Sequence, residues 1–342
     1  MQQLYLIGEP FFRPEPKQEY YAPIGQWELC QRILKETQDK AAVLNKLREE
    51  YLAIVWTLKQ MGIDFRIIYA HGDQIDKKVL GMCVQELGCK LAGFDQGYFA
   101  PSVIYPRDFA TVLPGLILVN AEVVDLKVRE KDDYKILPSP YGEGGRILAS
   151  EKTVLITERL VIKEGHSRPV EPRDFAVLNE MGIKVGILPF PVSRAFSLSG
   201  PTNKSFGNDH IDRVACLIRG KDGNLHLVVD PFIHTTDWKD YKHVRWVPRF
   251  PKESIEKIRH TCEAMGIRVC CPKTLGVPYS LNLIQFSDGR VLMTCGDEAV
   301  AEIIGEIVGE EKLFGTSIPI RFFPVWAYAG IRCLVSEAPM IL

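Results

Sequence analysis

The sequence predicts an α/β fold, a five-bladed propeller in which ββαβ units repeat with pseudo-fivefold symmetry around one axis. The first observation is a recurrent phrase, Leu58-Lys-Gln-Met-Gly-Ile-Asp-Phe-Arg-Ile-Ile68, which returns at residues 178–188 and 262–271 and, more weakly, at 84–91. In each copy a helical pattern ends at a glycine, which can adopt the left-handed conformation that closes a helix, and a short apolar strand follows. The helix before the first copy is predicted over residues 39–60.

The second observation is a series of hairpins, each made of two apolar runs around a turn. They are predicted over residues 109–119, 145–157, 213–229 and 281–294. A fifth apolar run, at residues 330–335, has little chain left for a partner, so the N-terminal strand at residues 4–7 is predicted to pair with it and close the ring. A single unit of this kind cannot bury its own apolar faces, so the units must pack against one another. A radial arrangement lets every unit do so. The alternative is an open α/β sheet in which the similarity between helix ends is accidental.

The overall composition does not favour a nucleic acid or a membrane as partner. The chain has 342 residues, with 42 Lys and Arg against 43 Asp and Glu, and a formal net charge of −1. Nucleic acids and anionic membranes select basic surfaces, so neither is expected here. Nine cysteines without paired spacing are typical of reduced thiols, and no apolar stretch is long enough to span a bilayer. We therefore expect a cytoplasmic protein.

The residues that open the hairpins are unusual for a structural core. In a radial fold the equivalent ends of successive units converge on the axis, so residues remote in sequence would line one central pocket. Their types include a nucleophile, a base and groups that bind cations, which together form a catalytic set. In chain order these residues are Asp108, Glu143, His210 with Asp212, Asn282 and Cys333.

All of these residues except Asn282 lie in four motifs that resemble those of one enzyme superfamily. The motifs are Tyr105-Pro-Arg-Asp108-Phe, Gly142-Glu-Gly-Gly145, Asp209-His-Ile-Asp212-Arg-Val-Ala215 and Ala329-Gly-Ile-Arg-Cys-Leu334. They resemble the signatures of the guanidino-group-modifying (pentein) superfamily, which includes arginine deiminases, agmatine deiminases, dimethylargininases and amidinotransferases. The resemblance implies a single pentein domain over residues 1–342, in which 1–100 are divergent and 101–342 carry the catalytic motifs.

The resemblance also implies a role for each residue. Cys333 stands where the family has its nucleophile, and His210 where it has its general acid and base. Asp108 and Asp212 would hold the guanidinium, and Glu143 matches the glutamate of the Glu-Gly-Gly loop. Asn282, which the family motifs do not assign, is either a pocket wall or a hydrogen-bonding residue at a strand end.

The resemblance further implies that neither a metal nor an organic cofactor is needed. The expected partner is a small guanidino compound, arginine or a relative. Homodimers are usual in the family, while the sequence itself leaves the oligomeric state open.

The chemistry explains why these residue types are needed. A guanidinium is a planar cation with donors in a fixed fork, which carboxylates bind in pairs. Its carbon is a poor electrophile, so a thiolate is required as nucleophile, with a pKa lowered by nearby positive charge. Attack by Cys333 and protonation of the departing amine by His210 would give a covalent thiouronium, which water then hydrolyses.

Three functions remain open at this point. The first is a deiminase, which releases ammonia from the guanidino group. The second is an amidinotransferase, in which an amine takes the place of water. The third is a non-catalytic pentein that acts as a binding protein.

Two further features bear on substrate binding. An α-carboxylate on the substrate would require an arginine near the pocket, and Arg107, Arg146, Arg168, Arg194 and Arg332 are candidates. Residues 196–207 are rich in turn formers and closely precede His210. We therefore consider two interpretations of this segment, a flexible lid over the pocket and an ordinary surface loop.

Overall fold

The structure is a computed structural model with an α/β architecture built from mixed sheets. It describes residues 4–10, 12, 20–23, 32–33, 35–36, 39–69, 75–93, 106–120, 134–141, 144–163, 166–189, 192–197, 200–207, 210–230, 252–273, 276–327 and 329–337.

The strands, in chain order, are β1 (Tyr5–Ile7), β2 (Tyr20–Pro23), β3 (Phe65–Tyr69), β4 (Lys90–Gly93), β5 (Ala110–Leu113), β6 (Leu116–Asn120), β7 (Lys135–Ser139), β8 (Ile147–Ser150), β9 (Thr153–Thr157), β10 (Arg159–Lys163), β11 (His166–Pro169), β12 (Lys184–Leu188), β13 (Val192–Ser197), β14 (Gly200–Gly207), β15 (Ala215–Arg219), β16 (Leu225–Val229), β17 (Ile267–Cys270), β18 (Ile284–Gln285), β19 (Val291–Met293), β20 (Leu313–Gly315) and β21 (Val335–Glu337).

The α-helices are α1 (Lys40–Gln60), α2 (Lys77–Gly81), α3 (Pro106–Phe109), α4 (Ala176–Glu180), α5 (Lys252–Ala264), α6 (Glu298–Val308) and α7 (Ile331–Leu334). Short 3₁₀ turns occupy Gly144–Arg146, Pro172–Phe175, Ile211–Arg213 and Glu310–Lys312, and π-helical turns occupy Met82–Glu86 and Phe323–Ala327.

Five of the sheets share one topology, an antiparallel strand pair whose second strand pairs in parallel with a third. They are β5-β6-β7, β8-β9-β12, β15-β16-β17, β18-β19-β20 and β21-β1-β3, the last of which gains β4 at its edge. A helix connects the second strand to the third in four of these units. In the first unit the connection falls at 121–133, outside the described residues. The predicted strand, strand, helix, strand repeat is therefore confirmed wherever the connection is described.

The fifth sheet joins the two ends of the chain. β1 lies antiparallel to β21, with Tyr5 opposite Glu337 and Ile7 opposite Val335. The prediction that the N-terminal strand completes the last unit is confirmed. The second strand of this hairpin therefore comes from the far end of the sequence, so the first and last parts of the chain must fold together.

Glycines end the repeated helical segments as the sequence predicts. Gly62, Gly88, Gly182 and Gly266 all have positive φ, between +61° and +73°. A side chain in this left-handed conformation would be strained, whereas glycine adopts it freely and turns the chain into the next strand.

Adjacent sheets share their hydrophobic cores. One cluster joins the first two sheets, the next joins the second and third, another joins the third and fourth, and the last joins the fourth and fifth. Helix α1 packs Leu47, Ile54 and Leu58 against Ile67 of β3 and Val335 of β21. Helix α3, which opens the first sheet, contacts β21 of the fifth. Each sheet is thereby fixed by the sheets beside it.

Two sequence predictions of local structure were wrong. Residues 330–335 were expected to form a strand, yet Ile331–Leu334 form a helical turn and the strand starts at Val335. The apolar run favours a strand, but hydrogen bonds from its backbone to Asn282 fold it into a turn. Residues 196–207 were expected to be a loop, yet most of them lie in the hairpin β13-β14, which β2 extends into a three-stranded sheet. Pairing with a remote strand decides this structure, which a local excess of turn formers does not indicate.

Among the helices that the structure describes, none has both the length and the apolar character required to cross a lipid bilayer.

A buried carboxylate ties α1 to the last part of the chain. Glu50 is 2% exposed and accepts hydrogen bonds from the backbone N–H groups of Arg321, Phe322 and Phe323 at 2.7–3.0 Å. Burial raises the pKa of Glu50 to about 7, against the lowering effect of these donors. The carboxylate therefore fixes the segment that leads into residues 329–333.

Glu50→Ala should lower the free energy of unfolding by about 3 kcal/mol or more, because three buried N–H groups lose their acceptor. Urea denaturation measures the change. Glu49→Ala is the matched control, because Glu49 is exposed and its ion pair with Lys46 lies at the surface, so its loss should cost about 0.5 kcal/mol or less. Equal losses in the two variants would contradict the anchoring role.

Glu50 should also make stability depend on pH. Its pKa in the folded protein, about 7, lies above the ordinary value of 4.5, so the folded state binds this proton more tightly than the unfolded state. The free energy of unfolding should therefore fall by up to about 3 kcal/mol as the pH rises from about 4.5 to about 7. Denaturation across this range should show that Glu50→Gln lacks this part of the slope. An unchanged slope would assign the titration to another group.

Candidate active site

The segments that open the five shared-topology sheets form a closed circuit of contacts. Helix α3 contacts α7 on one side and the turn Gly144–Arg146 on the other, and that turn contacts Ile211–Arg213. Asn282 closes the circuit, because its amide Nδ2 donates to the backbone oxygen of Asp212 at 3.1 Å and its backbone oxygen accepts from the N–H of Arg332 at 3.2 Å. The hairpin-opening segments, remote in sequence, therefore meet in one place, which we call the opening ring.

Cys333 lies buried within the opening ring, with 3% of its surface exposed. Its thiol donates towards Oδ2 of Asp212 at 3.9 Å, and Sγ lies 3.4 Å from Nδ2 and 3.6 Å from Oδ1 of Asn282. The sulfur thus contacts both a carboxylate and an amide.

Asn282 fixes the position of Cys333 through the backbone as well as through its contact with the sulfur. Its Oδ1 accepts hydrogen bonds from the backbone N–H groups of Arg332 at 2.9 Å and Cys333 at 3.3 Å. Gly330 makes this approach possible, since a Cβ atom at that position would overlap the Asn282 side chain. Sequence reasoning left Asn282 undecided, and the structure places it in direct contact with Cys333.

Asp212 is fully buried in the turn Ile211–Arg213. Its Oδ2 faces the Cys333 thiol, while its Oδ1 is buried with no hydrogen-bond partner among the described residues. Burying a carboxylate oxygen without a donor is costly. A ligand that carries several N–H donors would satisfy this oxygen.

His210 lies directly before that turn and is 7% exposed. Its ring packs against Gly145 so closely that a Cβ there would overlap Nδ1. Gly144 is packed in the same way against the backbone oxygen of Arg107. The two glycines therefore let the turn Gly144–Arg146 approach both His210 and the backbone of Arg107.

Two further candidate residues, Asp108 and Glu143, are not both described by the structure. The backbone of Asp108 lies in α3, within the opening ring, but its side chain is outside the described residues. Glu143 also lies outside them. The roles of both residues stay predictions.

Known proteins resemble this chain in structure and not detectably in sequence. No family model matches the sequence, and no curated protein matches it. Among solved structures, a dimethylarginine dimethylaminohydrolase in an adduct with 4-chloro-2-hydroxymethylpyridine has a TM-score of 0.50 and 12% identity, covering 98% of this chain and 100% of that one.

Two further structures give the same result. The substrate-bound N-terminal domain of a mutant ArgZ, an arginine dihydrolase from the ornithine–ammonia cycle in cyanobacteria, has a TM-score of 0.51 and 10% identity over 98% of each chain. A protein assigned as an agmatine deiminase has a TM-score of 0.55 and 16% identity, covering 100% of this chain and 94% of that one. The chain has the pentein fold. The resemblance found in its motifs is confirmed at the level of fold.

Within this pentein fold, the arginines considered for a substrate carboxylate donate to several different acceptors. Arg168 forms a bidentate ion pair with Asp174 at 2.5 and 2.7 Å, which lowers the pKa of Asp174. Arg146 donates to the backbone oxygen of Tyr141. The side chain of Arg194 lies outside the described residues, and Arg107 and Arg332 both donate to the backbone oxygen of Ile147. Four of the five arginines thus have an acceptor within the protein itself.

Several other thiols of this pentein chain are in surroundings unsuited to nucleophilic chemistry. Burial raises the pKa of three of them to about 12, which keeps them protonated at neutral pH; they are Cys216, Cys262 and Cys271. Cys333 differs because polar groups of Asp212 and Asn282 surround its sulfur.

Gly330→Ala should destabilise the protein by about 1–3 kcal/mol, because the new methyl group would displace Asn282 from the backbone of residues 332 and 333. Gly305→Ala is the matched control. It lies within α6, where an added Cβ makes only ordinary contacts, so it should gain about 0.5–1 kcal/mol from helix propensity. Urea denaturation of both variants measures this difference, and an unperturbed Gly330→Ala would show that the close packing is unimportant.

Proposed function

We propose that this protein is a hydrolase, a deiminase that cleaves a guanidino C–N bond of an arginine-like substrate and releases ammonia. The observation that carries the proposal is the contact of the Cys333 thiol with Asp212 and Asn282 inside the opening ring. The pentein fold supports it, because the similar structures named above include a dimethylarginine dimethylaminohydrolase and an arginine dihydrolase.

The proposal includes a five-bladed propeller with its active site on the axis. Three observations support it: five sheets of one topology, hydrophobic clusters shared between successive sheets, and a circuit of contacts through the opening segments. The whole chain would then form one domain, because the first strand belongs to the last blade.

Substrate binding is proposed to rest on Asp212, with Asp108 as its counterpart. The Oδ1 atom of Asp212 is buried and lacks a donor among the described residues, so a guanidinium would supply the hydrogen bonds that it needs. A bidentate pair would also fix the plane of the guanidinium relative to the sulfur. The positive charge of the substrate would favour the thiolate of Cys333 over the thiol.

The reaction proceeds in two halves. In the first, the Cys333 thiolate forms a bond to the guanidinium carbon and His210 gives a proton to the departing nitrogen, so that the C–N bond breaks and ammonia leaves. In the second, His210 accepts a proton from water, whose oxygen attacks the thiouronium carbon. The C–S bond then breaks, which restores the thiolate and leaves a ureido product.

Asn282 is proposed as a positioning residue. It contacts the sulfur, the N–H groups of residues 332 and 333, and the backbone of Asp212. It thereby sets the distance between the nucleophile and the carboxylate that orients the substrate. The chemical step is faster when the reacting groups are held in a fixed orientation.

Cys333→Ala should abolish ammonia release from the better substrate of arginine and agmatine, with a loss of about 10³-fold or more, because no other described group replaces the sulfur. The Cys271→Ala variant, whose thiol burial keeps protonated, is the control and should stay active if it folds. Ammonia is measured without an added amine. Formation of a new guanidino compound and the donor's parent amine, without ammonia and only when an amine acceptor is added, would indicate an amidinotransferase. A fully active Cys333→Ala variant excludes the mechanism, and a wild type inactive on every guanidino compound would favour a binding protein.

Asp212→Asn should lower kcat/KM by about 100-fold or more, because the amide keeps the shape but loses the charge that orients the guanidinium. Asp222→Asn is the control. This acid lies in the turn between β15 and β16, where hydrogen bonds from Asn224 lower its pKa, and its replacement should leave kcat/KM within about two-fold. Steady-state measurement of ammonia release gives kcat/KM for both variants. An Asp212→Asn variant with wild-type kinetics would contradict substrate binding at this carboxylate.

A further inference from the structure

A groove with a volume of about 780 Å³ lies beside the third sheet. Residues of the helices α5 and α6, the strands β16 and β17, and the turn between β15 and β16 line it. Of the candidate active-site residues whose side chains are described, none belongs to this lining. The size of the groove falls in the range of small-molecule sites. We call it the α5–α6 groove.

A thiol and an imidazole face each other in the α5–α6 groove. Sγ of Cys270 lies 3.8 Å from Nδ1 of His226, and both residues line the groove. In the parallel pair of β16 and β17, His226 lies opposite Arg268, and Cys270 is two residues further along β17. These three side chains therefore project from the same face of the sheet. The register of the strands thus holds a partly buried nucleophile beside a base.

A carboxylate lies on the other side of this imidazole. Oδ1 of Asp222 is 3.5 Å from Nε2 of His226, and its Oδ2 accepts a hydrogen bond from Arg268 at 2.7 Å. Hydrogen bonds from Asn224, together with His226 and Arg268, hold the pKa of Asp222 below its ordinary value. A Cβ atom at Gly220 would overlap both Oδ1 and Nε2, so a glycine is needed for this close approach. An ionised carboxylate at Nε2 favours the tautomer that leaves Nδ1 as an acceptor for the thiol.

The order of thiol, imidazole and carboxylate is that of an activated nucleophile. Burial raises the pKa of the Cys270 thiol, so a base must remove its proton before the sulfur can react. His226 is placed to accept that proton, and the charge of Asp222 stabilises the imidazolium that results. The adjacent thiol of Cys271 differs, because it donates to the backbone oxygen of Pro272 and burial raises its pKa to about 12.

We propose that Cys270 is a second nucleophilic thiol, and that the α5–α6 groove brings a small zwitterionic disulfide to it. Thiolates attack the sulfur atoms of disulfides. Lys221 and Arg259 line the groove and suit the carboxylates of such a ligand. Glu263 and Glu306 also line it and suit an ammonium group. Glutathione disulfide carries both kinds of group and serves as the probe.

The reaction is a thiol–disulfide exchange. Nδ1 of His226 takes the thiol proton, and Sγ of Cys270 forms a bond to one sulfur of the ligand. The S–S bond of the ligand breaks, and its other sulfur leaves as a thiolate that takes the proton from His226. Cys270 is thereby oxidised to a mixed disulfide while half of the ligand is reduced to a thiol, so the exchange requires no other oxidant.

The test is a time course of the full chain with glutathione disulfide, without any guanidino substrate, in which mass spectrometry of peptides measures each adduct. Cys270 should react about ten-fold or more faster than Cys295, which is also partly buried. Cys270→Ser should lose the adduct on the peptide of residues 269–273, and Cys271→Ser should keep it. The reverse result, or a wild-type rate at Cys270 no higher than that at Cys295, overturns the proposal.

His226→Gln should slow the reaction of Cys270 by about ten-fold or more, because the base is lost. The rate at Cys295 should not change, which shows that the variant is folded. The matched control is His260→Gln, since His260 is an exposed histidine of α5 that is not part of the lining, and it should react like the wild type.

Asp222→Asn should slow the reaction of Cys270 several-fold, because the charge that stabilises the imidazolium is lost. Asp222→Glu keeps the charge and should react faster than Asp222→Asn, which a purely structural role of the aspartate would not produce. A wild-type rate at Cys270 in either His226→Gln or Asp222→Asn overturns the proposal.

The assigned ligand class is tested with hydroxyethyl disulfide, which is uncharged. The ratio of the rates at Cys270 and Cys295 should be several-fold lower with this reagent than with glutathione disulfide. Lys221→Gln combined with Arg259→Gln should lower the ratio only for glutathione disulfide. Equal ratios for the two reagents in the wild type overturn the assignment of a zwitterionic ligand.

Cys333→Ala separates this site from the proposed deiminase. Because Cys333 does not line the α5–α6 groove, this variant should be modified at Cys270 at the wild-type rate whether or not the protein releases ammonia. Loss of the Cys270 adduct in Cys333→Ala would overturn the proposal of a separate site.

Discussion

The side-chain amide of Asn282 is the constraint on which the candidate site depends. It receives the N–H groups of Arg332 and Cys333, donates to the backbone of Asp212 and lies against the Cys333 sulfur. One buried side chain thus links three of the segments that open the sheets. Because a buried amide must satisfy both its donors and its acceptor, this arrangement permits little displacement of any of the three.

The pairing of the N-terminal strand with the strand that follows Cys333 supports that constraint. The pairing of β1 with β21 joins the first residues to the segment that carries Cys333, and Glu50 of α1 fixes residues 321–323 immediately upstream. Residues 329–337 are therefore held at both ends. The N-terminal strand and helix α1 thereby secure the segment that carries Cys333.

The helical turn α7 directs neighbouring side chains to different partners. Cys333 contacts the buried carboxylate of Asp212, whereas Arg332 donates to the backbone oxygen of Ile147. One short turn therefore places a thiol and a guanidinium group in different surroundings.

The sequence by itself determined the repeating unit. Glycines that end helices and apolar runs around turns are local features, and they recur along the chain in the same order. It also indicated Asp108, Glu143, His210, Asp212 and Cys333, because these polar residues recur at equivalent points of the repeat. Only the tertiary structure decided that Asn282 contacts Cys333, that residues 331–334 form a turn, and that Arg107 and Arg332 meet at one carbonyl. These facts depend on hydrogen bonds between segments remote in sequence, and no local pattern encodes such pairings.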